Sequence, residues 1–568
     1  MARVPRRVSS LVFSALLAGC SSLGGGPETT MMELMPAAGA PLKACTALVA
    51  SFSFAHTALS AARSVPAGTL KVGTAAVGEH CLVLGKMHER VSPVDGQTYA
   101  IGFEMRLPRD WNGRFFYQGN GGLDGFIPPA IGATSGGGAI THALHQGFAV
   151  ISSDAGHSVK QLPLFGLDPQ ARLDYGYQAV AKLTPMAKAL IEAAYGRGPG
   201  RSYIGGTSNG GRHVMVAATR MPAEYDGYLA IAPGFNLPKA AVAQLYGAQQ
   251  YAHAASDPKN LETAFTLAER KLVASRNLAR CDALDGAADA SVEDVAGCRS
   301  AFDLQRDVPT CAGARDGTCL SAAQKTAIGN VFAGARNSRG EALYAPFPYD
   351  PGITYNDWAD WEFKYSVTNR DPVAVGFVFQ VPPAPASIQS DLLGFALNFS
   401  MDTDAPKIFA SNATYTENAM SFMTPPNPTR LDALRQRGAR LLVVHGNADP
   451  VFSVADTAAW YDAVRAHHGP DTARFVRLFR VPGMGHTRGG PATDQFDALS
   501  ALVDWVERGR APDRIIASAR GAGNAGGVND DVPASWAPNR TRPLCPYPAI
   551  ARYNGSGSVE AAENFSCR

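Results

Sequence analysis

The 568-residue sequence predicts an α/β fold, a mostly parallel sheet that carries a large inserted lid domain. Three observations carry that expectation. Short β-branched or aromatic runs end in glycine-rich loops, as in "RFFYQGNGG", "GFAVISSDAGH", "YLAIAPG", "RLLVVHGNADP" and "VRLFRVPGMGH". Helical patterns such as "DYGYQAVAKLTPMAKALIEAAYG" lie between them, and strands that alternate with helices favour parallel connections. The alternation then breaks down between residues 234 and 429 into cysteine-bearing loops, proline-rich "VPPAPAS" and scattered helices, before core-type strands resume at Arg440.

Taken in order, the chain opens with Arg3, Arg6 and Arg7 ahead of an apolar run from Leu11 to Leu17, too short to span a bilayer. Residues 1–20 therefore read as a secretory signal. Its end, "LLAGCSS", is similar to a bacterial lipobox, in which Cys20 becomes the lipidated first residue of the mature chain; the alternative is an ordinary signal peptide with a chance cysteine. Residues 21–44, with "SSLGGGPETT", form a small-residue tether that leaves the body in water, in the periplasm or on the outer membrane. The sheet-bearing core spans 45–233 and 430–568, and 234–429 is the lid. So long a chain exceeds the usual single hydrophobic core. A net charge of +2 and the absence of a basic stripe argue against nucleic acid or an acidic membrane surface as a partner.

Removing Cys20 leaves eight cysteines, an even number suited to disulfides in an oxidising compartment. Sequence proximity favours Cys281 with Cys298, Cys311 with Cys319 and Cys545 with Cys567, leaving Cys45 with Cys81. No C-x-x-C pair or adjacent histidine supports zinc instead.

The stretch "SYIGGTSNGGRHVMVAATR" holds G-x-S-x-G at a strand-to-helix turn, with Ser208 at its centre. Downstream, "RLLVVHGNADP" delivers Asp449 and "FRVPGMGHTRGG" delivers His486, both at the carboxyl ends of strands, where open α/β sheets place reactive residues. Serine, acid, histidine is the chain order of α/β-hydrolases. His445 precedes the acid in the same loop and reads as its buttress; His157 comes too early, and His213 follows the serine closely. Asp456 falls inside the next helix pattern and Asp154 follows the wrong strand. In such a triad His486 takes the serine proton and Asp449 fixes the imidazole tautomer. The oxyanion needs two backbone donors: Asn209 supplies one, and Gly121 or Gly122 in "QGNGGLDG" the other.

The blocks "PRDWNGRFFYQGNGG", "FGLDPQARLDYGY", "GGTSNGG", "APGFNLPKA", "CDALDG", "VPGMGH", "GGPATDQFDALSALVDWVERG" and "TRPLCPYPAIARYNGSG" resemble the tannase and feruloyl esterase family, in particular its branch of mono(2-hydroxyethyl) terephthalate hydrolases. The likeness runs from about Cys45 to the end. It implies a secreted serine esterase acting on small esters of aromatic acids, with Ser208, Asp449 and His486 as the triad and Gly122 and Asn209 as oxyanion donors. It also implies a structural Ca2+ in the lid, held by Asp282, Asp285 and Asp289 and the backbone oxygens of Ala287 and Ser291; read from the residues alone, the aspartates are solvated turn residues. Trp358, Phe377 and Phe452 fall where family members clamp an aromatic ring.

Two departures stand out. Many members place cysteines immediately after the histidine and before the serine, joined in a disulfide; here those places are Thr487 and Thr207. The terephthalate-monoester hydrolases place an arginine where this chain has Val373, and the nearest one, Arg370, has Asp371 beside it, so neutral aromatic esters are the expected preference. Two other functions share these features. A noncatalytic binding lipoprotein would have no need of three triad residues at strand ends, whereas a serine peptidase would use the same triad, and only the family blocks and lid argue for esters.

Overall fold

The structure, a computed structural model, describes residues 37–43, 45–136 and 142–568. The expected signal segment with Cys20, and most of the expected tether, lie outside the described residues. At the centre is a nine-stranded sheet. Its strands are β1 (Thr57–Val65), β2 (His80–Val91), β3 (Thr98–Pro108), β4 (Arg114–Gly119), β5 (Ala149–Ser153), β6 (Arg201–Thr207), β7 (Gly227–Ile231), β8 (Arg440–Gly446) and β9 (Val476–Val481). They lie in the order β9-β8-β7-β6-β4-β5-β3-β2-β1. From β9 to β5 every neighbour is parallel, whereas β3, β2 and β1 add an antiparallel edge.

The parallel strands are continuous apolar runs because both faces of the sheet are covered. In β8, Leu441 and Val443 join the core on one face and Leu442 and Val444 the core on the other, the two-residue period of a strand. The antiparallel edge was not anticipated from the sequence. In β1, "TALSAARSV" is mostly small and polar and half exposed, so it lacks the bulky run by which the interior strands declare themselves.

Between β7 and β8, residues 232–439 add no strand to the sheet and form a helical layer over its carboxyl ends. That layer begins with a helix at Leu237–Ala254 and includes two wide π-helical turns, Trp361–Tyr365 and Ala374–Phe379. Disulfides join Cys45 to Cys81, Cys281 to Cys298, Cys311 to Cys319 and Cys545 to Cys567. Among the described residues, no helix is long and apolar enough to cross a membrane.

Candidate active site

Ser208 sits between β6 and the helix α1 (Asn209–Arg220), with φ 64° and ψ −124°. A non-glycine residue held there costs about 1–3 kcal/mol, and such strain collects at functional turns. The turn is tight enough to require its flanking glycines. A Cβ on Gly206 would lie 2.6 Å from the Gly210 carbonyl, and one on Gly210 would collide with the Gly119 carbonyl oxygen.

The loops after β8 and β9 bring the acid and the base to this serine. His486 Nδ1 lies 2.9 Å from Asp449 Oδ2, and His486 Nε2 lies 2.9 Å from Ser208 Oγ. Because Nδ1 faces a carboxylate it carries the ring hydrogen, and Nε2 accepts from the serine hydroxyl. Asp449 Oδ1 accepts the backbone N–H groups of Val451 and Phe452 at 2.8 and 3.0 Å. Burial alone would raise its pKa, but His486 and His445 hold it well below the ordinary carboxyl value. His445 Nε2 donates to Asp449 Oδ2 at 3.2 Å and to the Phe452 carbonyl at 3.0 Å, which leaves Nδ1 to accept from the Thr457 hydroxyl. His445 is thus a buttress of the acid. Asp456 is bound instead to Asn236, and Asp154 to the backbone of Gly102 and Gly156.

With threonines at 207 and 487, the histidine loop is held by hydrogen bonds that the sequence did not disclose. Buried Asp350, from the lid, accepts N–H groups from Gly352 and Gly483 at 2.8 and 3.2 Å. Asp494 accepts the Gly489 N–H at 2.7 Å and a two-pronged contact from Arg520 at 2.9 and 2.6 Å. Asn529 donates to the Gly490 carbonyl at 2.8 Å.

The loop that carries Gly122, itself at φ +63°, is pinned at successive residues. Tyr175 donates to the Gly122 carbonyl at 3.1 Å, and His157 Nε2 to that of Leu123 at 2.8 Å. Asp124 accepts from Asn209 Nδ2 at 2.5 Å, and fully buried Arg212 donates to Asn209 Oδ1 at 2.6 Å. Gly122 and Asn209 therefore face the same cleft as Ser208, with their backbones fixed by buried polar groups. His213 completes this cluster behind Asn209 and His157 braces the loop, so neither competes as the base.

Leu237, Arg370, Asp371, Ala374, Phe379 and Phe452 close the cleft. Phe452 and Trp361 each meet the His486 ring edge-on at 5.3 Å. Two expectations are corrected here. Trp358 packs into the lid core against Phe332 and Phe363, and Phe377 is buried with its carbonyl bound by Arg172; Trp361 and Phe379 occupy the wall instead. Trp358 lies in the short helix Asn356–Asp360 and Trp361 opens the π-helical turn that follows it, while Phe377 sits within the second such turn and Phe379 closes it, so the member of each pair nearer the turn's edge is the one that reaches the cleft. Arg370 stacks on Trp361 at 4.5 Å and lies 3.5 Å from the Asp371 carboxylate. Burial raises the Asp371 pKa, against the pull of Arg370.

In the lid loop after Cys281, Asp282 accepts the N–H groups of Asp289, Ala290 and Ser291 at 2.9, 3.0 and 3.3 Å. Asp285 Oδ2 and Asp289 Oδ1 are buried without a hydrogen-bond partner. Burial pushes the Asp285 carboxyl up to about 6, and that of neighbouring Glu293 to about 8. Arg542 contacts the other oxygen of Asp289. The orphaned, desolvated oxygens of Asp285 and Asp289 are of the kind a hard cation takes, while Asp282 is occupied by backbone N–H groups and Arg540 and Arg542 face Asp289. Glu293 and Arg542 were not singled out in the sequence, because one follows the aspartate cluster and the other arrives from a distant C-terminal strand.

Residues 81–568 match the family model described as tannase and feruloyl esterase. The chain is 40% identical to a mono(2-hydroxyethyl) terephthalate hydrolase of Piscinibacter sakaiensis, over 87% of this chain and 85% of that one. It is 27% identical to a probable feruloyl esterase B-2 of Aspergillus terreus, over 82% and 83% of the two chains. Among solved structures, feruloyl esterase B from Aspergillus oryzae superposes with a TM-score of 0.73 at 23% identity, covering 92% of this chain and 99% of its own.

Proposed function

The chain belongs to the tannase and feruloyl esterase family and is a carboxylic ester hydrolase, and on that premise we propose that it cleaves esters of aromatic acids through an acyl-enzyme on Ser208. The observation that carries the reading is the hydrogen-bonded line Ser208–His486–Asp449 opening on an aromatic cleft. Ser208 Oγ attacks the ester carbonyl carbon as its proton passes to His486 Nε2. The backbone N–H groups of Gly122 and Asn209 receive the oxyanion, and the imidazolium, steadied by Asp449, returns the proton to the departing alcohol. Water then repeats the attack on the acyl-enzyme, with His486 again as base, and releases the acid.

Phe452, Trp361 and Phe379 supply flat apolar walls for a ring. Arg370 and Asp371 present opposite charges side by side, which favours neutral esters over anionic ones. A Ca2+ held by Asp282, Asp285 and Asp289, with backbone oxygens of Ala287 and Ser291, would brace the lid electrostatically and take no part in ester cleavage. Four disulfides suit an extracellular or periplasmic site of action, and Cys20 would be the point of lipid attachment.

A fluorophosphonate probe with peptide mass mapping, alongside hydrolysis of ethyl ferulate, methyl gallate and casein, tests the reading. Labelling of Ser208 and cleavage of the two aromatic-acid esters but not casein is expected. A label on another residue, or cleavage of casein alone, overturns it.

A further inference from the structure

A second concavity lies away from Ser208, where the lid, the helix α2 (Val454–His468) and the C-terminal segment meet. It has a volume of about 700 Å³, far more than the free space over the serine. One wall is aromatic: Tyr349 stacks on Phe332 at 4.3 Å and meets Phe302 edge-on at 5.1 Å. The floor is the small-residue face of α2, with Ala455, Ala458 and Ala459, which leaves room for a flat ring. Arg480, half-buried on β9 and laid over the Tyr547 ring at 4.8 Å, also lines the cleft.

Charge in this cleft is unbalanced. Four arginines line it (299, 480, 552 and 568) against two acids, Asp294 and Asp462. Asp294 is engaged by Arg552 at 3.3 Å and by the Gly297 N–H at 2.8 Å. Asp462 is engaged by Tyr547 at 3.0 Å and by Arg465 at 3.3 Å. Among the described residues no carboxylate forms an ion pair within 4.0 Å of the Arg480 guanidinium; it stacks on the Tyr547 ring and feels Glu293, Asp294 and Asp462 only at longer range. A partly desolvated guanidinium held flat by stacking is pre-organised for a planar, two-oxygen anion.

We propose that this cleft is a second binding site, for a small aromatic carboxylate whose ring lies along the Tyr349 wall and whose carboxylate pairs with Arg480. The ligand class is that of the acid released by ester cleavage, but the binding claim stands on the cleft alone and does not depend on which residue performs the hydrolysis.

Isothermal titration with benzoate, and with uncharged benzamide as the charge control, tests it on the whole protein. The wild-type protein takes up benzoate, Arg480→Gln weakens one binding equivalent by tenfold or more, and benzamide binds that equivalent no better than benzoate binds the variant. Ala458→Phe, a change on a half-exposed helix face, fills the floor and removes the same equivalent. Both variants retain wild-type hydrolysis of ethyl ferulate, because neither residue touches the serine cleft; this separates loss of the second site from misfolding. Benzoate uptake that both variants leave unchanged, or equal uptake of benzamide at the site, overturns the proposal.

Discussion

Asp371→Asn tests how the cleft reads substrate charge. Arg370 Nη2 and Asp371 Oδ1 stand 3.5 Å apart in the wall that faces Ser208. At an effective dielectric of about 20 their gross attraction is about 5 kcal/mol, and a substrate carboxylate drawn to Arg370 meets a repulsion from Asp371 of the same order. Asparagine keeps the shape and removes the charge. After screening and the loss of one carboxylate partner, a net gain of about 1–2 kcal/mol is left for an anionic substrate, close to tenfold in kcat/KM. The assay measures kcat/KM for bis(2-hydroxyethyl) terephthalate and for its anionic monoester with both enzymes. The wild type favours the neutral bis-ester, and the variant shifts the ratio about tenfold toward the monoester. Adding Arg370→Gln cancels the shift. A ratio that Asp371→Asn leaves unmoved, or a wild type that clearly prefers the monoester, refutes the argument.

Other outcomes follow from the same geometry. Ser208→Ala lowers turnover of ethyl ferulate by several orders of magnitude with an unchanged melting temperature; near-normal turnover would remove the triad. Gly210→Ala drives a Cβ into the Gly119 carbonyl and abolishes both activity and the cooperative thermal transition, whereas an active, stable variant would show that the turn can relax. Excess chelator lowers the melting temperature if Ca2+ occupies the Asp282 loop, and an unchanged value with no calcium by elemental analysis rejects that site. Burial raises the Glu362 carboxyl to about 8, so the folded protein keeps a proton that the unfolded chain releases above the ordinary carboxyl range. That contribution to stability is complete below this range and is lost as pH climbs toward 8. Glu362→Gln therefore flattens the fall in melting temperature between pH 5 and 8, and identical slopes would contradict it.

Short-range rules were sufficient wherever structure follows from neighbouring residues. The turn at Ser208 needs glycines two positions away on either side, and the interior strands announce themselves by continuous apolar runs, so the parallel half of the sheet and the order of serine, acid and histidine are written locally. Near-neighbour spacing likewise sufficed for the cysteine pairs. Tertiary structure decided everything that depends on the direction of a side chain across distance. Trp361 rather than Trp358 faces His486, because Trp358 is taken up by Phe332 and Phe363 of the lid; positions three apart share a helix face, so spacing alone does not say which of them meets the histidine. Asp350 reaches Gly483 across 133 positions, and Arg542 meets Asp289 across 253, contacts formed by packing the lid and the C-terminal segment onto the sheet. A sequence states which charges and rings a chain carries; which of them share one desolvated cleft is settled only when distant segments exclude water together.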